Sequence, residues 1–356
     1  MPSRTRQNLG GAPARRAGKA AHEAAELIDL SRTESPWGPP AEVADAIAGS
    51  IAGLNRYPDR LCTALCAKLA EFYGVEPDQI AVGGGSRALV QDLLAIACGG
   101  TGEVVFSTPC RSGYDGAVTL AGAASVKVPL DTQQRCDLDA LAQAVTPRTR
   151  AVIINNPHSP TGSYRTSAEL SRLIRLLPAD LTVVIDEAYH EYERIEPLEA
   201  SLELVEHYSN VAIVRSFSKA YGLAGLGIGY CIASSSLASE LRRVTAQRGI
   251  SAPAQVAAAK MLEHETYRHI ARHTAMAVSL RKRLEKGLRL AGIAHIPSSA
   301  NFVTLLMDPV AGAARMRSAG VGVLPLEEPG GIRITIGTEE QMQQVCRTLG
   351  FDLPGE

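Results

Sequence analysis

Short β-rich runs alternate with segments of helical apolar spacing through the first two thirds of this 356-residue chain. Six of these runs span residues 103–107, 125–130, 151–155, 181–186, 211–216 and 229–233, and another precedes the glycines at 83–85. This alternation is typical of βαβ units, whose parallel strands form one sheet and whose helices cover its faces. We therefore predict an α/β fold built on a mostly parallel sheet flanked by helices.

Helix signals separate the β-rich runs. One apolar stripe ends at Gly74 and a second ends at Gly99, while Thr166 and Glu169 form a capping box that opens a third helix. The first stripe consists of Leu61, Leu65, Leu69 and Phe72. These helix start and stop signals predict helices of ordinary length between the strands.

The chain is longer than one hydrophobic core usually supports, so two domains are expected. The pattern changes near residue 245 to long helices and two later strands, within "ANFVTLLM" and "GIRITIGT". We predict a large domain at 51–245 and a smaller α+β domain at 246–356. Residues 26–50 are expected to pack on the small domain, after a disordered basic tail at 1–25.

Composition and charge exclude several function classes. A net charge near −1 provides no field for gathering nucleic acid or an anionic membrane. No stretch approaches 18 continuous apolar residues, and the basic N-terminus lacks the apolar region of a secretory signal. We therefore expect a cytoplasmic protein without nucleic-acid or membrane partners.

The seven cysteines are scattered and include no C-x-x-C pair, which favours free thiols in a reducing compartment. Glu265, His269 and His273 recur every four residues and could ligate a metal from one helix face. A solvated polar face explains the same spacing, and we predict no metal site.

Lys219 lies in "RSFSKAYGLAGLGIGY", between small hydroxyl residues and a run of glycines. The apolar run at 211–216 predicts a buried parallel strand, which would place Lys219 just beyond its carboxyl end. Open α/β sheets build their sites at that edge, and burial there prepares a lysine for Schiff-base chemistry. A surface lysine in a glycine-rich turn is the simpler alternative.

Two further segments carry polar groups to the same predicted edge. "VVIDEAYHEY" ends a buried strand in Asp186, with Tyr189 three residues later, and a carboxylate there usually has a ligand partner. "AVGGGSRALVQDLL" reads as a strand, a glycine-rich turn and a helix start, which together suit an anion. A dinucleotide site is the alternative for this turn, but G-x-G-x-x-G is absent.

A phosphate cup, a carboxylate, a phenol and a sheltered lysine are the groups that pyridoxal 5′-phosphate requires. Seven motifs occur in the order found in fold-type I pyridoxal-phosphate aminotransferases: "SPWGPP", "RYPD", "GGGSRA", "NPHSPTG", "DEAY", "SFSKAYGLAGL" and "GIRITIGT". The chain resembles that family, class I/II, and within it the histidinol-phosphate aminotransferase branch. The resemblance implies a seven-stranded sheet, a homodimer with shared active sites, and an amino donor and keto acceptor as substrates.

The resemblance also implies residue roles. Lys219 becomes the Schiff-base lysine and proton shuttle, Asp186 the partner of the pyridine nitrogen, and Tyr189 a donor to the ring oxygen. Tyr114 would stack on the ring, and Tyr57 would reach in from a second subunit. The remaining cofactor contacts would come from Gly85, Ser86, Arg87, Ser159, Ser216 and Ser218. Arg333 would bind the substrate carboxylate, and Trp37 is expected near the substrate.

Three positions depart from the family pattern. Ser159 stands where an asparagine is expected before "PTG", and Gly227 stands where an arginine usually binds the phosphate. Leu324 occupies the place of the arginine that binds the phosphorylated substrate in the histidinol-phosphate branch. We therefore expect an aminotransferase that does not act on histidinol phosphate. A decarboxylase, lyase or oxidase on the same fold is the alternative, followed by a non-catalytic binding protein.

Overall fold

The computed structural model describes residues 27–110 and 113–355, so the predicted tail at 1–25 lies outside the described residues. The strands are β1 Ile28–Asp29, β2 Ile80–Gly83, β3 Glu103–Thr108, β4 Ala124–Pro129, β5 Thr149–Asn155, β6 Thr182–Asp186, β7 Val211–Ser216, β8 Gly229–Ala233, β9 His295–Ile296, β10 Phe302–Leu306, β11 Val321–Gly322, β12 Leu324–Leu326 and β13 Gly331–Thr335. The helices are α1 Ala41–Ser50, α2 Thr63–Tyr73, α3 Ser86–Cys98, α4 Tyr114–Leu120, α5 Leu138–Gln143, α6 Ser167–Ile174, α7 Leu202–His207, α8 Ser235–Arg248, α9 Ala252–Met261, α10 His264–Leu290, α11 Pro309–Ser318 and α12 Glu339–Leu349.

A seven-stranded sheet in the order β2-β8-β7-β6-β5-β3-β4 dominates the fold. The strands run parallel except β8, which is antiparallel to both of its neighbours. This arrangement confirms the predicted mostly parallel sheet. Its central strands are buried on both faces, since Val183, Val184 and Ile185 of β6 have no exposed surface. Burying each such side chain contributes about 1.5–3 kcal/mol, which explains why these strands read as continuous apolar runs.

The predicted helix ends are confirmed at several positions. α2 and α3 end immediately before Gly74 and Gly99. At the start of α6 the Thr166 side chain accepts from the Glu169 backbone, and the Glu169 side chain accepts from the Thr166 backbone. Each capping bond satisfies a backbone N–H that the first helical turn leaves open.

Leu61 is the member of the first apolar stripe that the structure places outside its helix. α2 begins at Thr63 because Asp59 accepts hydrogen bonds from the backbone of Leu61 at 2.9 Å and of Thr63 at 2.7 Å. The Leu61 side chain is consequently 52% exposed.

The C-terminal part of the chain forms a second, smaller sheet. Its antiparallel strands lie in the order β12-β13-β10-β9, and the 27-residue helix α10 and helix α12 pack nearby. β1 pairs in parallel with β11, so the N-terminal segment joins the C-terminal part of the chain. The domain boundaries given above stay a prediction.

None of the described helices combines the length and the apolar character that crossing a bilayer requires. All seven cysteines are free thiols. Burial raises the pKa of the Cys62 thiol to about 12 and that of Cys66 to about 11, so both are neutral at physiological pH.

Candidate active site

Three neighbouring strands end in polar residues at the carboxyl edge of the large sheet. β5, β6 and β7 end at Asn155, Asp186 and Ser216. The Asn155 side-chain amide donates to the Asp186 carbonyl at 2.9 Å, which ties the ends of β5 and β6 together. The parallel order of the strands therefore brings residues from distant parts of the sequence to one edge.

Asp186 is completely buried, so its carboxylate depends on protein donors. The Tyr114 hydroxyl donates to Oδ2 at 2.7 Å, and the Ala188 backbone N–H donates to Oδ1 at 3.2 Å. Tyr114 is the first residue of α4 and is 5% exposed. The structure thus joins two of the predicted cofactor residues directly.

The glycine turn after β2 leads into α3 beside this edge, where the sequence predicts a cup for an anion. α3 begins at Ser86 directly after the glycine turn, and the N-terminus of a helix favours an anion. Gly229 allows the close approach, because a Cβ there would lie 2.7 Å from the Arg215 carbonyl oxygen and 2.9 Å from Ser86 N. Gly229 also pairs with Ser216, so Ser86 and Ser216 both lie beside this glycine.

Ser218 and Gly85, two more residues of the predicted cup, lie close to these serines and glycines. The Ser218 N–H donates to Ser216 Oγ at 3.1 Å, which places Ser218 next to Ser216. A Cβ at Gly85 would lie 3.8 Å from the carbonyl carbon of Gly227. Gly227, the position where the resemblance leads us to expect an arginine, therefore lies beside the glycine turn.

Lys219 lies half-buried beyond β7, as its place in the sequence predicts. Its amine donates to Thr33 Oγ1 at 2.6 Å and to the Arg32 carbonyl at 3.2 Å. Nζ also lies 5.8 Å from the centre of the Tyr189 ring, and Tyr189 itself is 2% exposed. Lysine and phenol therefore share one wall of the site.

Arg333 reaches the same region from β13. Its guanidinium donates to Ser159 Oγ at 3.2 Å and to the Ser31 carbonyl at 2.9 Å. It lies 5.0 Å from the centre of the Phe302 ring, which contacts Tyr189 edge to face at 5.3 Å. The Ser159 N–H in turn donates to Asn155 Oδ1 at 2.8 Å, which connects Arg333 to the strand ends.

The structure does not bring Tyr57, Arg87 and Trp37 into these contacts. Tyr57 is 97% exposed. Arg87 is also exposed, and its Nε lies 3.3 Å from the point that a Cβ would occupy at Gly113. The Trp37 ring stacks on His273 at 4.9 Å, while its carbonyl oxygen lies 3.1 Å from the Cβ position of Gly222.

The helix face carrying His269 and His273 remains without a metal assignment. Their rings contact each other at 4.0 Å, and burial, with His269 and Arg272 nearby, lowers the pKa of His273 to about 4. Across residues 27–110 and 113–355, no group of three acidic, histidine or cysteine side chains has the geometry to hold a metal ion.

Sequence reasoning missed Thr33, Asn155 and Phe302. Asn155 could have been found, because it ends the strand beside that of Asp186. Thr33 and Phe302 left no local signal, since each reaches the site through contacts with residues more than 100 positions away.

The residues present fit pyridoxal phosphate. The buried Asp186 carboxylate suits a protonated ring nitrogen, and the α3 N-terminus with its serine hydroxyls suits a phosphate. Gly229 lets the start of α3 lie close to β8, because a side chain there would collide with Ser86 N. Lys219 lies next to Tyr189, where an aldehyde could bond its amine.

Comparison with known proteins agrees with this fit. The family described as aminotransferase class I and II matches residues 25–349. The aromatic amino acid aminotransferase of Rhodococcus jostii (strain RHA1) is 41% identical over 95% of this chain and 92% of its own length. The aromatic amino acid aminotransferase of Streptomyces coelicolor is 37% identical over 94% of this chain and 93% of its own length.

A solved structure of an aminotransferase also supports this fit. The histidinol-phosphate aminotransferase of Sinorhizobium meliloti, in complex with pyridoxal 5′-phosphate, superposes with a TM-score of 0.82 at 27% identity, covering 91% of this chain and 90% of that one. These findings favour amino transfer over the decarboxylase, lyase or oxidase alternative. The chain belongs to the class I and II aminotransferases and is a pyridoxal-phosphate-dependent enzyme that transfers amino groups between small molecules.

Proposed function

We propose that this aminotransferase takes an aromatic amino acid as amino donor and a 2-keto acid as acceptor. The observation that carries the proposal is the pairing of Leu324 in β12 with Arg333 in β13. Side chains directly opposite on neighbouring strands lie on the same face of a sheet. An apolar side chain therefore flanks the guanidinium, where a substrate phosphate would need a cation.

The neighbourhood of Arg333 supports the same substrate class. The Phe302 ring packs against the guanidinium and against Tyr189, which leaves an aromatic wall near the carboxylate-binding group. The relatives named above carry an aromatic specificity in their names. Histidinol phosphate lies outside the proposed substrates.

The geometry supports the following proposed roles. Pyridoxal phosphate supplies an electron-accepting ring and an aldehyde that bonds amines. Lys219 holds the cofactor through its amine and afterwards moves a proton at Nζ. Asp186 would be the acidic partner of the ring nitrogen, and Tyr189 would donate a hydrogen bond from its hydroxyl to the ring oxygen. Arg333 binds the substrate carboxylate with its planar fork of donors.

Gly85, Ser86, Ser216 and Ser218 form the proposed phosphate cup, and Arg87 is its proposed cation. Tyr114 is proposed to lie against the ring while its hydroxyl supports Asp186. Ser159 is proposed to contact the cofactor beside Arg333. Trp37 is proposed to border the substrate entrance, since its backbone packs on Gly222, three residues beyond Lys219.

We also propose a homodimer in which Tyr57 completes the cup of the other subunit. Ile51, Leu54 and Leu61 are 57%, 56% and 52% exposed and lie in the same segment as the fully exposed Tyr57. Such a cluster of exposed apolar side chains is typical of a surface that another protein covers. A Tyr57→Ala variant mixed with a Lys219→Ala variant should then recover activity, because hybrid dimers contain one intact site. Activity no higher than that of either parent would contradict the shared site.

A cytoplasmic location is proposed as well. The seven free cysteines, six of them buried, support a reducing compartment.

The proposed function is tested with the purified enzyme and a series of amino donors. Phenylalanine, tyrosine and tryptophan should bleach the near-visible absorbance of the lysine-bound cofactor and release their keto acids at least about tenfold more efficiently than aspartate or histidinol phosphate. A preference for histidinol phosphate would refute the substrate assignment. Borohydride reduction followed by peptide mapping should locate the cofactor on Lys219, with Lys219→Ala as the control that traps none.

A further inference from the structure

Thr33 has a backbone conformation that a threonine rarely adopts. Its φ is +54°, in the left-handed region, although the residue is β-branched and only 2% exposed. A buried β-branched residue in this region is strained and persists only where its surroundings impose the conformation. Such strain often marks a functional position.

Two hydrogen bonds from the C-terminal part of the chain impose this conformation. The Thr33 N–H donates to Thr335 Oγ1 at 2.9 Å, and the Asn301 side-chain amide donates to the Thr33 carbonyl at 3.2 Å. Thr335 ends β13, the strand that carries Arg333. The substrate-binding strand therefore holds the N-terminal segment in place.

The strained backbone aims the Thr33 hydroxyl at the lysine. Oγ1 donates its single proton to the Arg32 carbonyl at 2.6 Å, so its lone pairs are left to accept. It accepts from the Lys219 amine at 2.6 Å and lies 3.4 Å from the Tyr189 hydroxyl. The Arg32 carbonyl accepts from the same amine at 3.2 Å.

We propose that Thr33 is a positioning residue that receives the Lys219 amine whenever the lysine is not bonded to the cofactor. The inference rests on the role of Lys219 in the proposed function. A cycle of amino transfer frees this amine each time the substrate takes its place on the cofactor. The freed amine then needs a defined position from which to move a proton, and the acceptor pair of Thr33 and Arg32 defines it.

The Thr33 hydroxyl and the Arg32 carbonyl also affect the charge of the freed Lys219 amine. Two oxygen acceptors stabilise an ammonium more than an amine, because a hydrogen bond from a charged donor is stronger. Loss of the Thr33 hydroxyl should therefore favour the neutral amine, which is the form that bonds an aldehyde. A purely structural Thr33 would leave this balance unchanged.

The test compares Thr33→Val with Thr33→Ser in the full-length chain. Valine keeps the size and the β-branch and excludes water, while serine keeps the hydroxyl. After the cofactor is removed, recombination with pyridoxal phosphate is followed by absorbance across a pH series. In Thr33→Val the midpoint of that profile should fall by about one pH unit, the equivalent of one hydrogen bond to a charged group. Thr33→Ser should keep the wild-type midpoint.

Steady-state kinetics provides a second readout. Thr33→Val should lower kcat by about tenfold with little change in KM, because the misplaced lysine slows proton movement without touching the substrate. Thr266→Ala is the matched control, since it removes the hydroxyl of another buried threonine, which donates to the backbone carbonyls of Lys260 and Glu263 near the start of α10. If Thr33→Val does not fold, Thr33→Ala replaces it, with thermal unfolding as the check.

The outcomes separate the two proposals. A wild-type midpoint in folded Thr33→Val or Thr33→Ala overturns the role of Thr33, provided that borohydride still traps the cofactor on Lys219. Failure to trap the cofactor on Lys219 in the wild-type enzyme overturns the proposed function itself, and this inference with it.

Discussion

The Tyr114 hydroxyl and the Asp186 carboxylate are joined by a hydrogen bond of 2.7 Å at the carboxyl edge of the large sheet. Tyr114 opens α4 and Asp186 ends β6, so the bond links two elements that are 72 residues apart. A buried carboxylate with such a donor keeps its orientation without a solvent shell. In the proposed site this fixes the charge that faces the ring nitrogen.

Asp186→Asn tests this charge. The variant should keep the cofactor but lose roughly three powers of ten in kcat, about 4 kcal/mol of transition-state stabilisation, because a neutral amide no longer holds the ring proton. Tyr114→Phe is the matched comparison and should lose only about tenfold, since it removes one donor and keeps the ring. Near-normal turnover in Asp186→Asn would show that this carboxylate is structural.

Arg87→Ala tests how the phosphate is held beside Gly227. If the Arg87 guanidinium replaces the missing arginine, its loss should weaken cofactor binding at least about tenfold, the equivalent of one charge-assisted bond. Adding Gly227→Arg should restore part of the affinity, because no atom lies within 4 Å of a Cβ at that position. The φ of +58° at Gly227 makes full recovery unfavourable.

Fluorescence titration of the cofactor-free enzyme with pyridoxal phosphate measures the cofactor affinity of Arg87→Ala and of the double variant with Gly227→Arg. Arg243→Ala, which removes an exposed arginine of α8, is the control for a general loss of positive charge. Unchanged affinity in Arg87→Ala would mean that Arg87 faces solvent and that the cup relies on N–H and hydroxyl donors.

The ion pair behind the site is predicted to matter for stability. Arg215 Nε lies 2.8 Å from Glu187 Oε2, with the side chains 0% and 1% exposed, and the guanidinium holds the pKa of Glu187 below its usual value despite burial. Arg215→Met should lower the free energy of unfolding by about 3–5 kcal/mol, because Glu187 would remain a buried charge without its guanidinium partner.

Urea unfolding measures this loss. The double variant Arg215→Met with Glu187→Leu should recover most of it, since apolar residues can replace a buried ion pair with little cost. A double variant no more stable than Arg215→Met alone would contradict this account.

Glu191 is predicted to make stability depend on pH. Neither of its carboxylate oxygens has a hydrogen-bond partner within the described part of the chain, and burial raises its pKa from 4.5 to about 7. The folded state therefore keeps a proton that the unfolded chain loses. Its contribution to stability is complete below about pH 4.5 and is lost as the pH rises through 7.

Glu191→Gln should accordingly be more stable than the wild type at pH 8 and similar to it at pH 5, by a difference on the order of 3 kcal/mol. Unfolding by urea at the two pH values measures it. Glu203→Gln, at an exposed position of α7, should show no such difference. Equal pH dependence in Glu191→Gln and the wild type would rule out Glu191 as the titrating group.

The strand ends were predictable because their signals are local. The apolar runs, the turn glycines and the capping box each span a few residues, so the succession of strands along the chain and the positions of Asp186 and Lys219 after strands follow from the sequence. The cofactor was predicted from the family motifs. Leu61 was placed wrongly because the Asp59 side chain competes for the backbone groups that open the helix.

By itself, the sequence determined the α/β architecture and the set of polar residues at the sheet edge, since periodicity and turn chemistry act within neighbouring residues. Only the tertiary structure decided which of these residues meet. Thr33 receives the Lys219 amine across 186 positions, and Ser159 receives the Arg333 guanidinium across 174. Contacts of that kind depend on how separate elements pack, and no local pattern encodes the distance between two side chains from opposite ends of a chain.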